Sequence, residues 1–187
     1  MATETLYFSD MAQVSNCTVT DSANVIGQYD VATCTLAPTG AGDWYGGGAV
    51  DNTEQIPTSL ISVKIRYWNS GAALDADDTL YFQFYDYDAV AWQTIFTYNT
   101  GNPLPTSETE FDIGTYLADN FFASAQDKIL WVNSLAFRWY HDVTKAQSAV
   151  VISTQGVEVV IEYTPSTGGP RGPLGQPFHG PFGGPIV

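Results

Sequence analysis

The fold is decided by the stretch SLISVKIRYW, residues Ser59 to Trp68, in which apolar and polar side chains alternate. Such a period of two predicts a β-strand with one buried face, because successive side chains of a strand point to opposite sides. One face consists of Ile61, Val63, Ile65 and Tyr67, and the other of Ser62, Lys64, Arg66 and Trp68. We therefore expect a half-buried strand with a basic outer face.

The same alternation recurs along the chain. In the next strand Leu80, Phe82 and Phe84 alternate with Tyr81, Gln83 and Tyr85, and the run AWQTIFTY follows at residues 91–98. The clearest strand of all is VEVVIEY at 157–163. Further strands are predicted at 6–8, 14–20, 29–36, 129–141 and 147–153, with one helical turn at 115–125. The run 129–141 fits a central strand that bends near Asn133.

Turn-forming residues separate these strands at regular intervals. They include PTG at 38–40, GGG at 46–48, NSG at 69–71 and NTGNP at 99–103. About nine short strands with such punctuation are typical of an all-β sandwich or jelly roll. We expect an all-β, jelly-roll β-sandwich with its body at 56–165. Residues 1–55 add strands and loops to it, and residues 166–187 form an extended Gly/Pro-rich arm.

The charge balance excludes several classes of partner. The 187 residues include 20 Asp and Glu against 6 Lys and Arg, a formal net charge of −14. Binding to nucleic acid or to an anionic membrane is disfavoured, because both need clustered basic side chains. Residues 1–10 have neither a basic nor an apolar region, so we do not expect them to form a signal peptide, and we expect no membrane-spanning segment. Cys17 and Cys34 fall on predicted strands, either as a disulfide or as small buried hydrophobes.

The C-terminal arm carries a repeating apolar pattern. More than half of the residues from Gly168 to Val187 are Gly or Pro, which excludes a helix or a central strand. Its four apolar anchors, spaced by four, are Leu174, Phe178, Phe182 and Ile186. At about 3.1 Å per residue, the extended arm reaches roughly 60 Å. We expect the anchors to fill pockets on a neighbouring subunit of a homo-oligomer; the alternative is a solvated spacer.

Aromatic residues form the first candidate site. Trp44, Tyr45, Trp68 and Trp92 are candidates for contact with a sugar or a partner protein, because aromatic faces pair with apolar sugar faces. Trp44 and Tyr45 precede the triple glycine, which predicts a flexible, exposed loop there. The alternative is that these rings pack against the core or a neighbouring subunit.

Acidic residues form the second candidate site. Asp75, Asp77 and Asp78 lie in one predicted turn, and closely spaced carboxylates are ligands that calcium prefers. The alternative is a solvated acidic turn, and no other cofactor is expected.

A catalytic centre is not evident in the sequence. Glu108 and Glu110 lie close together in a predicted loop and make a poor glycosidase pair. His141 and His179 have no nucleophile at a meaningful spacing. We therefore expect a protein that is not an enzyme.

The order of elements from Ile56 onward resembles a known family. IPTSLISVKIRYW is followed by TLYFQFYDYD, then AWQTIFTY, LWVNSLAFRWY and VEVVIEYTP. This pattern resembles the galactose-binding-like jelly-roll domains of bacteriophage virion structural proteins, over residues 56–165. The resemblance implies a virion structural protein, such as a capsid decoration (cement) protein or a tail component, assembled in the host cytoplasm and partnered by itself and by other virion proteins. Two alternatives stay open, a carbohydrate-binding adhesin and a self-polymerising extracellular filament subunit.

Overall fold

The computed structural model describes residues 1–9, 12–14, 17–21, 26–27, 31–36, 44–76, 78–143 and 150–165. Its strands are β1 (Ala2–Tyr7), β2 (Ala12–Val14), β3 (Cys17–Thr20), β4 (Ala32–Leu36), β5 (Trp44–Ala49), β6 (Pro57–Asn69), β7 (Asp78–Asp86), β8 (Ala91–Tyr98), β9 (Thr109–Asp112), β10 (Ala136–Val143) and β11 (Val150–Tyr163). Its helices are α1 (Gly114–Asn120), a 3₁₀ turn (Phe122–Ser124) and α2 (Lys128–Asn133). The helical turn predicted at 115–125 is thus confirmed.

Two antiparallel sheets make up the fold. The first sheet has the order β3-β4-β11-β6-β9, and β1 joins it by pairing with the second half of β11. The second sheet has the order β2-β5-β10-β7-β8. The jelly-roll β-sandwich predicted from the sequence is confirmed. Residues 166–187, which include the predicted anchors Leu174, Phe178, Phe182 and Ile186, lie outside the described residues.

The core lies between the two sheets and is rich in aromatic rings. Tyr67 is fully buried at its centre, where its ring stacks on Phe111 at a centroid distance of 4.7 Å and meets Trp139 edge to face at 4.5 Å. Its hydroxyl shares a hydrogen bond with the hydroxyl of Tyr98. Burial raises the pKa of Tyr67 far above its ordinary value, so this hydroxyl stays neutral. Such mutually packed rings hold the two sheets at a fixed separation.

The alternation predicted for Ser59–Trp68 breaks at one point. Ile61 was expected to face the core, but it is 51% exposed, while its neighbours Leu60 and Ser62 are buried. The cause is a β-bulge, because β6 advances by two residues from Ser62 to Leu60 while β11 advances by one. From Val63 to Trp68 the predicted alternation is confirmed.

The strand predicted at 129–141 is wrong in its first half. Residues 128–133 form α2, and β10 begins only at Ala136. Asp127 caps the helix, since its side chain accepts hydrogen bonds from the backbone N–H groups of Ile129 and Leu130. Trp131 and Val132 are consecutive and both buried, a pattern that a central strand and a helix packed on the sandwich share, so burial alone does not distinguish the two.

Three further boundaries differ from prediction. Residues 150–153 of the run predicted at 147–153 and the run predicted at 157–163 belong to one strand, β11, which is bulged between Thr154 and Val157 and has Gly156 at φ 80°, while residues 147–149 lie outside the described residues. The run 14–20 contributes β2 and β3, which lie in different sheets. Trp44–Ala49 is a strand rather than a loop, with Gly46 and Gly48 opposite Trp139 and Phe137 of β10.

The two cysteines lie on neighbouring strands but are not directly opposite. Cys34 of β4 pairs with Val19, and Cys17 of β3 pairs with Leu36. Their side chains lie outside the described residues.

Candidate functional site

The outer side of the second sheet carries a cluster of half-buried rings. In β7 the residues Leu80, Phe82 and Phe84 are buried against the core, so the alternate residues point outward. In β10 the residues buried against the core are Phe137, Trp139 and His141, so Arg138 and Tyr140 point outward. The outward residues of β7, β8 and β10 that touch one another are Tyr81, Tyr85, Trp92, Arg138 and Tyr140, and we call this set the aromatic face.

The rings of the aromatic face are in contact across three strands. Tyr81 and Tyr140 stack, with centroids 5.6 Å apart and planes inclined by 30°. Tyr85 meets Trp92 edge to face at 5.5 Å. The guanidinium of Arg138 joins the two pairs, since its Cζ lies 4.2 Å from the ring centroid of Trp92 and 5.2 Å from that of Tyr140. Each contact is worth roughly 0.5–1.5 kcal/mol, so the face is held as a unit.

Polar side chains fix the guanidinium in this position. Nε of Arg138 donates a hydrogen bond of 2.7 Å to Oε1 of Gln83. Nε2 of Gln83 donates in turn to the Thr94 hydroxyl at 2.9 Å. Because a planar guanidinium with a fixed Nε has little rotational freedom, the rings that it contacts are fixed as well.

The strand beside β10 continues this side of the sheet. Gly47 of β5 lies opposite Arg138, and Tyr45 lies opposite Tyr140. The side chains of Trp44 and Tyr45, both predicted as contact residues, lie outside the described residues.

The structure separates the other two predicted tryptophans. Trp92 belongs to the aromatic face, whereas Trp68 is half-buried on the outer side of β6, in the opposite sheet. One ligand therefore cannot touch both rings. Sequence reasoning missed Arg138 and Tyr140, and the signal available was the alternation within FRWYH at 137–141.

The predicted calcium site stays a prediction. Asp78 is buried, and its Oδ2 accepts a hydrogen bond from the backbone N–H of Asp75. Asp77 lies outside the described residues. Among the residues that the structure describes, no three His, Cys, Asp or Glu side chains are grouped so as to hold a metal ion.

His141 forms a buried pair with Asp78. Its Nε2 lies 3.5 Å from Oδ1 of Asp78, and neither side chain reaches solvent. Burial lowers the pKa of the imidazole below its ordinary value of 6.5, outweighing the attraction of Asp78 and Asp142. His141 is therefore neutral at pH 7 and out of reach of a substrate, which assigns the pair a structural role.

The two glutamates considered as a glycosidase pair bind an arginine instead. Arg66 donates from Nε to Glu110 at 2.7 Å and from Nη1 to Glu108 at 3.3 Å. Both carboxylates are partners of one guanidinium on the outer side of the first sheet, where an ionised pair is stabilised. The two glutamates therefore act as ion-pair partners of Arg66.

A cavity of about 290 Å³ opens at the edge of the sandwich, between β8 and α1. It is lined by Ile95, Phe96, Asp112, Ile113 and Tyr116. The Asp112 carboxylate accepts hydrogen bonds from the backbone N–H groups of Val63 and Gly114, so it connects α1 to β6.

Within the described ranges, no helix has the length and apolar character needed to cross a membrane.

Comparison with known proteins gives distant similarities only. No family model matches the chain, and no curated protein does. Among solved structures, an arabinose-bound α-L-arabinofuranosidase is 12% identical with a TM-score of 0.43, covering 82% of this chain and 23% of that one. The family 11 carbohydrate-binding module from Clostridium thermocellum, in complex with a β-1,3-1,4-mixed-linked tetrasaccharide, is 9% identical with a TM-score of 0.41, covering 83% and 94%.

A third similar structure is the family 30 carbohydrate-binding module of a cellulosomal cellulase from the same organism. It is 7% identical with a TM-score of 0.38, and the match covers 82% of this chain and 91% of the module. At these identities and TM-scores the similarities carry no argument about what this chain binds.

Proposed function

We propose that this protein is a carbohydrate-binding module that holds a glycan chain on the aromatic face. The observation that carries this function is the row of contacts in which Arg138 joins Trp92 to Tyr140, on the outward side of a sheet. Flat rings offer apolar surface to the C–H faces of a sugar, and tyrosine hydroxyls add hydrogen bonds at the ring edges. Both features are present here on one half-buried surface.

The composition of this surface suits a neutral or weakly polar chain molecule. Five residues with rings or a planar guanidinium extend across three adjacent strands, which are spaced about 4.8 Å apart. Measured across its three strands, the aromatic face is therefore about 10 Å wide, which is enough for two consecutive sugar units. The exposed Thr94 supplies a hydroxyl on this side of the sheet, and the buried Gln83 links that hydroxyl to Arg138.

The rigidity of the aromatic face favours ligand binding. Each ring is fixed by a neighbouring ring or by Arg138, so little side-chain entropy is lost when a ligand is bound. Rigid aromatic anchors of this kind dominate the affinity of many binding surfaces.

Replacing Trp92 tests this function directly. A panel of soluble polysaccharides that includes mixed-linked β-1,3-1,4-glucan is screened by affinity electrophoresis, and Kd for any positive is measured by calorimetry. Loss of roughly 80 Å² of apolar contact costs about 2 kcal/mol, so Trp92→Ala weakens binding by about 30-fold. Trp68→Ala is the matched control, because it removes a half-buried tryptophan from the opposite sheet.

Two results would contradict the proposal. One is a wild-type protein that retains no polysaccharide of the panel. The other is a Trp92→Ala variant that binds as tightly as wild type. Thermal unfolding of each variant shows whether it is folded at the assay temperature.

A second proposed role is assembly, which was predicted from the arm at 166–187 and from the resemblance to virion proteins. It includes the finer hypotheses of a capsid decoration protein, a tail component and a filament subunit, located on a virion or outside a cell. The spacing of the arm's apolar anchors supports it. Light scattering of the full chain beside a chain ending at Pro165 tests it. Equal monomeric masses would contradict self-assembly, and a multimer that needs the arm would support it.

A further inference from the structure

The turn between β7 and β8 contains a strained residue, Val90, whose backbone N–H donates a hydrogen bond of 3.3 Å to the Tyr87 carbonyl and closes the turn. Val90 has φ 53°, in the left-handed region, where a β-branched side chain is a genuine outlier. Glycine or asparagine is usual at such a turn position. The other non-glycine residue with positive φ in the described part of the chain is Asp21, a residue type that adopts this conformation readily.

Packing does not compensate for the strain at Val90. Its residue surface is 73% exposed, so the isopropyl group gains little from burial in the sandwich. Tyr87, at the other end of the same turn, is 37% exposed. An apolar side chain that costs backbone energy and covers no core is expected at a binding site rather than at a structural position.

The rest of the turn is braced firmly from behind. Oδ1 of Asp86 accepts hydrogen bonds from the backbone N–H of Asp88 and from the indole N–H of Trp131. Oδ2 of Asp88 accepts from the backbone N–H of Gln126. These bonds connect the turn to the segment that enters α2, so the surroundings hold Val90 in its strained conformation.

The strained turn adjoins the aromatic face. Asp86 and Ala91 form the last cross-strand pair of the hairpin, and Tyr85 and Trp92 form the pair before it. Val90, the last residue of the turn, is therefore two positions before Trp92 of β8. Tyr87, the first residue of the turn, is two positions after Tyr85 of β7. The two exposed apolar residues of the turn thus directly follow the end of the strand pair that carries Tyr85 and Trp92.

We propose that Val90 and Tyr87 form the end wall of the glycan-binding surface, an inference that rests on the proposed function. Val90 packs on the apolar face of the sugar unit next to the one that stacks on Trp92. It is thus a determinant of affinity at that subsite, retained at a cost in stability. The ligand class is a glycan of at least two units that presents an axially unsubstituted, apolar ring face at this end.

Variants of Val90 separate the side chain from the shape of the turn. Val90→Asn accepts the left-handed conformation and should raise Tm by about 2 °C, while it weakens binding of the positive polysaccharide on the order of fivefold. Val90→Ile keeps an apolar β-branched side chain and should keep both the wild-type Tm and the wild-type Kd. Asp21→Gly is the control for relief of a positive φ at the end of β3, and should change neither Tm nor Kd.

The outcomes distinguish this inference from the proposed function. Unchanged binding by Val90→Asn, with binding lost in Trp92→Ala, overturns the end wall and leaves the aromatic face standing. A Val90→Asn variant with a lower Tm overturns the argument from strain. If the wild-type protein binds no polysaccharide of the panel, both proposals are overturned.

Discussion

Gly114 is the position where the structure predicts the sharpest response to a single methyl group. A Cβ atom added there would lie 2.6 Å from Cα of Ser62, 2.7 Å from N of Val63 and 2.9 Å from C of Ser62. All three atoms belong to the backbone of β6 at its bulge, so no side chain can rotate away. We expect Gly114→Ala to force α1 and β6 apart.

The size of the effect follows from that distance. Ordinary contact begins at 3.4 Å, so the two elements must separate by about 0.8 Å. This movement strains the hydrogen bond from the Ile113 N–H to the Val63 carbonyl and both bonds to Asp112. Overpacking costs about 1–3 kcal/mol, and the better helix propensity of alanine offsets up to about 1 kcal/mol. The net loss is about 1–2 kcal/mol, or about 2–8 °C in Tm for a domain of this size.

Urea unfolding followed by tryptophan fluorescence measures this loss, with Gly101→Ala as the control. At Gly101 the nearest atom to an added Cβ is Oδ1 of Asn99 at 3.3 Å, only slightly inside ordinary contact distance. We expect the control to change the free energy of unfolding by less than about 0.5 kcal/mol. If Gly114→Ala unfolds at the same urea concentration as wild type, the close approach of α1 to β6 is refuted.

Two further predictions concern buried charge and helix capping. Burial lowers the pKa of His141 in the folded state, so the unfolded state takes up its proton first as the pH falls below 6.5. The free energy of unfolding should therefore decrease below that pH. In urea titrations between pH 7 and pH 5, His141→Asn should make this decrease smaller. A slope that is the same in both proteins would contradict the assignment. Asp127→Ala removes the cap of α2 and should cost about 1 kcal/mol, whereas Asp127→Asn should cost much less; equal losses in the two variants would show that the cap is not the cause.

The sequence predicts the strands well where one face alone is buried. Ile65 and Tyr67, or Val157 and Val159, alternate with polar residues, and that period is sufficient to assign both strand and orientation. Prediction from this period fails where both faces are apolar, as at 129–133. The helix α2 is recognisable there only from the capping side chain of Asp127. The prediction also fails at Ile61, because a bulge depends on the partner strand and leaves no local pattern.

The candidate site is less predictable than the fold, because it is assembled from strands that are distant in the sequence. Trp92 of β8 meets Arg138 of β10 only because β7 lies between those strands in the sheet. Nothing in the composition separates Trp92 from Trp68, and sheet order alone places them on opposite sides of the molecule. The triple glycine was interpreted as a loop, whereas it is a strand whose missing side chains make room opposite Trp139 and Phe137.

The pairing of β1 with the end of β11 sets the order in which the chain can fold. Tyr7 and Glu158, which are hydrogen-bonded partners, are separated by 151 positions, and Ala2 lies opposite Tyr163. During synthesis at about 5–20 residues per second, β1 waits roughly 8–30 s for its partner strand to be made. Its edge must stay unpaired for that time, since long-range pairings form late. The sandwich thus closes only after β11 has been made, and its closure brings the two ends of the domain side by side.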